Sequence, residues 1–235
     1  MKPDGASARS RRNFDQLRLP RFADRDTGRP FVVALEGANG AGKSTVCPLL
    51  SRAFAAPVCL GTDDAWLADA VKTRMIRDAD WFVSAMFFLS GCCEQMRLLR
   101  GRPEPLIIMD RSLWSTLAVH GATSVERLET LLALLQPVAS QIPVPDLTLV
   151  LETDFATCQS RVARKRGVAR QLDDLTATAA FHGREQEFYR WLARQRPEVQ
   201  GLPIQQAGPE AVADRAAALI RERVEAYRFA LPVVS

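Results

Sequence analysis

Lys43, Ser44 and Thr45 close the segment Gly37-Ala38-Asn39-Gly40-Ala41-Gly42-Lys43-Ser44-Thr45, which follows the apolar run Phe31-Val32-Val33-Ala34-Leu35. The spacing is that of a phosphate-binding loop, G-x-x-x-x-G-K-[ST], set between a strand and a helix. Its glycines let successive backbone N–H groups turn inward into an anion nest with no side chain in the way. Lys43 reaches β- and γ-phosphates in such a loop, and the Ser44 hydroxyl binds the accompanying magnesium. The helix beginning here directs its positive end at the same anion.

Further charged groups fall where a phosphate site needs them. Asp110-Arg111 ends the apolar run Leu106-Ile107-Ile108-Met109, and ligands of open α/β sheets sit beyond the carboxyl ends of strands. An aspartate there holds a hydrated magnesium or orients an attacking oxygen, and an arginine grips phosphate bidentately. The same pair also suits a helix cap and a surface ion pair. Asp63 and Asp64 follow a shorter apolar run and either accept a proton from a substrate hydroxyl or cap the helix carrying Trp66. Arg161, Arg164, Lys165, Arg166 and Arg170 gather at the end of a helical segment. That pattern fits a mobile lid closing over ATP, and also the ordinary preference of cations for a helix C-terminus. Within Trp81–Leu89, an apolar helix, Phe88 is the aromatic best suited to stack on a base. His120 and His182 read as structural or exposed.

The elements that must position these groups alternate. Strand 31–36 leads into helix 43–55, and a short strand 57–60 into helices near 64–78 and 80–100. Strand 106–109 ends at Asp110, a helix near 124–136 stops at Pro137, and strand 147–151 precedes a helix from about 154 to 166. A long polar helix over 174–195, the segment 202–205 and a helix near 209–227 complete the chain. Apolar strands alternating with helices imply a parallel sheet covered on both faces, in one domain over 30–235. Residues 1–29 mix eight basic residues with Pro, Ser, Asp and Gly and read as a largely disordered basic arm.

Composition is that of an ordinary globular chain: 235 residues, 47% hydrophobic, 25% charged, net charge +4. The positive balance suits an anionic substrate, and nucleic-acid binding does not follow from it. Five cysteines without a C-x-x-C pair argue against a disulfide framework, and two histidines against a structural zinc site. The apolar stretch 81–93 is too short to span a bilayer, and residues 1–12 lack an apolar leader core. A cytoplasmic protein is expected.

With these motifs in place, the chain from Phe31 to about Ile220 resembles the thymidylate kinase family of P-loop nucleoside-monophosphate kinases. Glu36 to Thr45 matches the family's opening loop, and Asp110-Arg111-Ser112-Leu113-Trp114-Ser115 looks like its D-R-Y segment. Pro145-Asp146-Leu147 matches its P-D-L strand, and Arg161 to Gly167 looks like its lid. The resemblance implies a three-layer α/β P-loop kinase fold with a five-stranded parallel sheet, and transfer of the ATP γ-phosphate to dTMP with magnesium by a cytoplasmic homodimer. It would place Gly37, Asn39, Gly40, Ala41, Gly42, Lys43, Ser44 and Thr45 on ATP, and Ser44 and Asp110 on magnesium. Asp63, Phe88, Arg111 and Ser115 would meet the acceptor, with Arg164, Arg166 and Arg170 as lid cations. Five positions depart from the family. Asn39 stands for Asp, Cys92 for an arginine four residues after the stacking Phe, Ser112 for Tyr, and Val119-His120 for Tyr-Gln. Asp110-Arg111-Ser112 is also similar to the acidic-Arg-Ser motif of deoxynucleoside kinases, whose acceptor is an uncharged hydroxyl and whose base Asp63 or Asp64 would supply. A nucleotide-binding protein without turnover is a third reading.

Overall fold

The computed structural model describes residues 13–23, 25, 28–62, 69–164, 178–205 and 207–230. Five parallel strands, β1 (Phe31–Glu36), β2 (Val58–Leu60), β3 (Leu106–Asp110), β4 (Leu147–Glu152) and β5 (Val199–Pro203), lie in the order β2-β3-β1-β4-β5. β1 is central and every residue of it is buried, which is why it reads as an unbroken apolar run rather than an alternation. β2 is an edge, and Val58 and Leu60 remain exposed there.

Two helical layers cover the sheet. On one face, α1 (Lys43–Phe54) and α8 (Pro209–Ala230) pack Val46, Leu50, Ala216 and Ile220 against Val33, Leu35, Leu149 and Leu151. On the other lie α3 (Trp81–Leu98), α4 (Leu113–Thr123), α5 (Val125–Leu135) and α7 (Ala179–Gln195), which share a core around Trp114, Leu117, Leu128, Phe188 and Trp191. The remaining described α-helices are α2 (Asp69–Arg77) and α6 (Phe155–Val162). The three-layer α/β architecture and the parallel five-stranded sheet agree with the expectation from sequence. Among the described residues no helix is long and apolar enough to cross a membrane.

Three features differ from the sequence reading. First, α4 begins immediately after Arg111, where no helix is expected. Ser112 caps it, accepting from the Trp114 N–H at 3.3 Å, so Asp110 is not the cap. α4 is buried on nearly all sides and therefore lacks the amphipathic periodicity that betrays a surface helix. Second, β5 begins at Val199, three residues before the expected segment.

Third, the basic arm is not loose from residue 13 onward. Phe14 and Phe22 are 2% and 1% exposed, with Phe14 against Phe188 and Trp191 and Phe22 edge-on to Trp114. Burial of each aromatic is worth about 1.5–3 kcal/mol. Arg29 closes on Asp146 with two bonds of 2.6 and 3.1 Å and donates to the Val144 carbonyl at 3.0 Å; Arg25 joins the same carboxylate at 3.0 Å. Asp146 also accepts from the Val32 N–H at 2.7 Å, so the acid at the foot of β4 ties the arm to the start of β1. Single anchors within a polar stretch are averaged away in any compositional reading.

Candidate active site

The loop after β1 carries Gly37, Gly40 and Gly42 at φ 122°, 84° and 107°. At two of these positions space is as restrictive as torsion. A Cβ on Gly37 would stand 2.7 Å from the Leu151 carbonyl oxygen, and one on Gly40 2.5 Å from that of Cys158. The loop is thus seated directly on the end of β4 and on α6. Lys43, buried, folds its ammonium back to donate to the Gly37 and Ala38 carbonyls at 2.6 and 2.9 Å. Burial, reinforced by Arg111, lowers its pKa to about 8. Arg161 donates from one Nη to the Gly40 and Ala41 carbonyls at 3.3 and 3.1 Å, bracing the loop from α6.

Across from the loop, β3 delivers Asp110 and Arg111. Arg111 adopts φ 70°, a left-handed conformation that L side chains rarely take. The turn aims its guanidinium back at the loop, where it donates to Asn39 Oδ1 and, at 3.1 Å, to Ser115 Oγ. Beneath it lies Glu36, fully buried. Its carboxylate accepts from Ser112 Oγ at 2.6 Å, from Ser115 Oγ and from the Tyr189 hydroxyl at 2.9 Å. Three hydroxyls satisfy a charge whose unpaired burial would cost several kcal/mol. Ser115 thus links Arg111 to Glu36 while lining the cavity.

These groups open onto one cavity of about 1570 Å³. It brings together Asn39, Gly40, Ala41, Gly42, Lys43, Ser44 and Thr45 with Phe88, Asp110, Arg111, Ser115 and Arg164. Gly37, at the start of the loop, is not part of the cavity lining. Asp63, Arg166 and Arg170 fall outside the described residues, as does most of the expected lid at 161–175. Ser44 and Asp110 are hard oxygen donors facing the same space, and among the described residues no cluster of three His, Cys, Asp or Glu forms a cage. Such a donor set suits magnesium, which keeps its waters and shares substrate phosphates, better than a metal held by protein alone.

The part of the cavity around Phe88 is built differently. Phe88 lies on its wall, edge-to-face with Phe87 at 5.2 Å. Cys92, where an arginine is expected, is 4% exposed, with its sulfur 3.6 Å from the Thr62 hydroxyl. Burial pushes its thiol up to about 12, so the wall is neutral there. Arg127 stacks over Trp81, which in turn touches His120. Burial, aided by Arg127, lowers the His120 pKa to about 4, so the imidazole is uncharged at neutral pH. His182 sits 3.1 Å from the Thr153 carbonyl and packs on Phe155; both histidines are buried.

Sequence spacing marks neither Glu36, Glu185 nor Tyr189 as members of the site, and it assigns Arg161 to the lid run rather than to the brace it forms on the loop. Glu185 and Tyr189 read only as polar and aromatic positions of a long helix.

No protein-family model matches the chain. A protein of Pyrobaculum aerophilum named "Probable thymidylate kinase" is 31% identical over 204 residues, covering 82% of this chain and 97% of the relative. The chain belongs to the thymidylate kinase family. The thymidylate kinase of Mycoplasma pneumoniae is 26% identical over 169 residues, 67% of this chain and 79% of that one. Among solved structures, Candida albicans thymidylate kinase superposes with a TM-score of 0.64 at 19% identity, over 83% of this chain and 92% of that one. A deoxyadenosine kinase of M. mycoides gives 0.61 at 15%, over 81% and 98%. Likeness at that identity establishes a shared fold. As a thymidylate kinase family member, this chain is a P-loop phosphotransferase, a nucleotide kinase.

Proposed function

We propose that the enzyme transfers the γ-phosphoryl group of ATP to dTMP, giving dTDP and ADP. The observation that supports this reading most is the cradle at 37–45 facing Arg111 across one cavity, in a chain of this family. Lys43 would leave the two loop carbonyls and turn to the β- and γ-phosphates, while loop N–H groups hold the β-phosphate. Arg111, already aimed at the loop, would grip the acceptor phosphate and bring its oxygen in line with the γ-phosphorus. Phe88 would stack on the base, and Asp63, which follows β2 in sequence, would meet the acceptor. Arg164, Arg166 and Arg170 would close over the donor and balance charge that develops on the transferring group. Ser44 and Asp110 would hold magnesium, which when bound neutralises phosphate charge. Catalysis is then mostly positioning and electrostatics, as phosphoryl transfer requires.

We propose further that the enzyme is a cytoplasmic homodimer; exposed apolar side chains on α3, Phe82 and Val83, support a buried partner surface there. The activity test is labelled ATP with dTMP, other monophosphates and deoxynucleosides. Transfer to dTMP above all others is the expected result. Transfer only to uncharged nucleosides would overturn the monophosphate reading, and tight ATP binding without transfer to any of them would overturn catalysis.

A further inference from the structure

Residues 13–23 precede β1 and lie across two helices of the cavity wall. Phe14 packs on Phe188 and Trp191 of α7, Phe22 on Trp114 of α4, and Leu17 and Leu19 join the same core. Asp15 adds an exposed bridge to Arg194 of α7 at 2.5 Å. Phe14 does more than fill space. Its ring lies under the guanidinium of Arg184, 5.6 Å from Cζ to the ring centre. Arg184 lines the cavity from α7 and donates from Nε to the Ala122 carbonyl at 3.2 Å. Ala122 stands in the last turn of α4, where carbonyls lack a partner within the helix. The preceding residue is notched for the ring. A Cβ on Gly121 would stand 3.3 Å from Phe14 Cε1 and 3.1 Å from Leu128 Cδ2.

Arg184 is thus held on one edge by a carbonyl and on one face by an aromatic ring. A guanidinium gripped in this way is restrained before any ligand arrives, and neither contact uses its Nη groups. Its place along α4 says what it would meet. Ser115 and Ala122 both line the cavity and lie two turns apart on one face of the helix, about 10 Å at 1.5 Å per residue. Ser115 is bonded to Arg111, the grip for the acceptor phosphate in the reading above. The Arg184 anchor is displaced from that grip by the span of a nucleoside. Guanidinium offers donors and no acceptor, so its partner there is an oxygen.

We propose that residues 13–23 form a positioning strap for the acceptor site, in which Phe14 holds Arg184 ready to donate to an oxygen of the acceptor's base. The inference rests on the monophosphate reading above. Phe14 is not among the cavity-lining residues, so it acts only through Arg184. A segment ahead of the first strand then sets how well the acceptor binds while leaving the phosphate loop untouched.

Steady-state kinetics with ATP and dTMP on the wild type, Phe14→Leu, Arg184→Ala and the double variant test it. Leucine keeps the apolar burial but has no π-face. Phe14→Leu should raise the KM for dTMP about two- to fivefold and Arg184→Ala about tenfold, with the KM for ATP nearly constant in both. With Arg184 already removed, Phe14→Leu should add nothing to the KM for dTMP. Rises that add in the double variant, equal rises for both substrates, or no rise at all would make Phe14 an ordinary core residue and overturn the proposal. Should thermal melting show Phe14→Leu to be unfolded, amide hydrogen exchange over residues 13–23 decides. Saturating dTMP should slow it in the wild type and not in Arg184→Ala. Equal slowing in both, or none in the wild type, overturns the strap. Wild-type protein that phosphorylates no monophosphate overturns the acceptor reading itself, and that result needs no variant.

Discussion

The donor end of the cavity is made of backbone and the acceptor end of side chains. At the donor end, consecutive residues 37–45 form the whole cradle, and its shape depends on three positive φ angles and on close seating against Leu151 and Cys158. At the acceptor end, Phe88 and Cys92 come from α3, Arg111 from the end of β3, His120 from α4, Arg127 from α5 and Glu185 from α7. A backbone device tolerates little variation, because each glycine is required by sterics that no substitution relieves. A wall of side chains can exchange members while the fold stays intact. Two of the departures noted in the sequence lie there, a neutral thiol at Cys92 and a neutral imidazole at His120, while the loop's own departure, Asn39, is at a position that is not a glycine.

Three changes would sharpen or break this contrast. The largest effect is expected at Lys43. Lys43→Ala should lower kcat by about 10²–10³-fold, the loss typical of one preorganised electrostatic contact to a transition state. Steady-state kinetics with ATP and dTMP would read this, and near-normal turnover would mean that the loop does not hold the transferring phosphoryl group.

A pH effect on stability comes next, confined to the acceptor wall. His120 has its folded pKa depressed to about 4 from the ordinary 6.5, so the unfolded chain binds the extra proton first as pH falls. Stability contributed by the neutral imidazole should be intact above pH 6.5 and lost between 6.5 and 4, by about 3 kcal/mol in total. Denaturant unfolding across that range, compared with His120→Gln, measures it. A variant with the same acid slope would show that the imidazole is not the group responsible.

The smallest of the three is Arg111→Lys. It keeps the charge but loses the planar fork that reaches Asn39 and Ser115 together. The KM for dTMP should rise about tenfold while that for ATP stays nearly constant. Equal rises in both would place Arg111 with the donor phosphates and erase the division between the two ends.

How far each region was legible follows from the same difference. The strands and the phosphate loop are local, so hydrophobic runs and glycine spacing reveal them in order. α4 escaped because burial on nearly all sides leaves it no polar face to mark its period. The ordered part of the arm escaped because Phe14, Phe22 and Arg29 act as isolated anchors in a basic stretch. The Glu36 network escaped for a third reason. Its members, Glu36, Ser112, Ser115 and Tyr189, span more than 150 positions, and only Glu36 lies in the loop motif.

From the sequence by itself come the cradle, its lysine and hydroxyl, the acid-arginine pair at a strand end and the alternation that makes the sheet parallel. Each depends on neighbours within a few residues, where steric and hydrophobic rules act directly. Tertiary structure alone decided which hydroxyls donate to Glu36, that Ser115 links Arg111 to Glu36, that Cys92 faces Thr62, and that Glu185 opens into the cavity. Those outcomes depend on how helices far apart in the chain rotate against one another in the packed core, and no local spacing encodes that rotation.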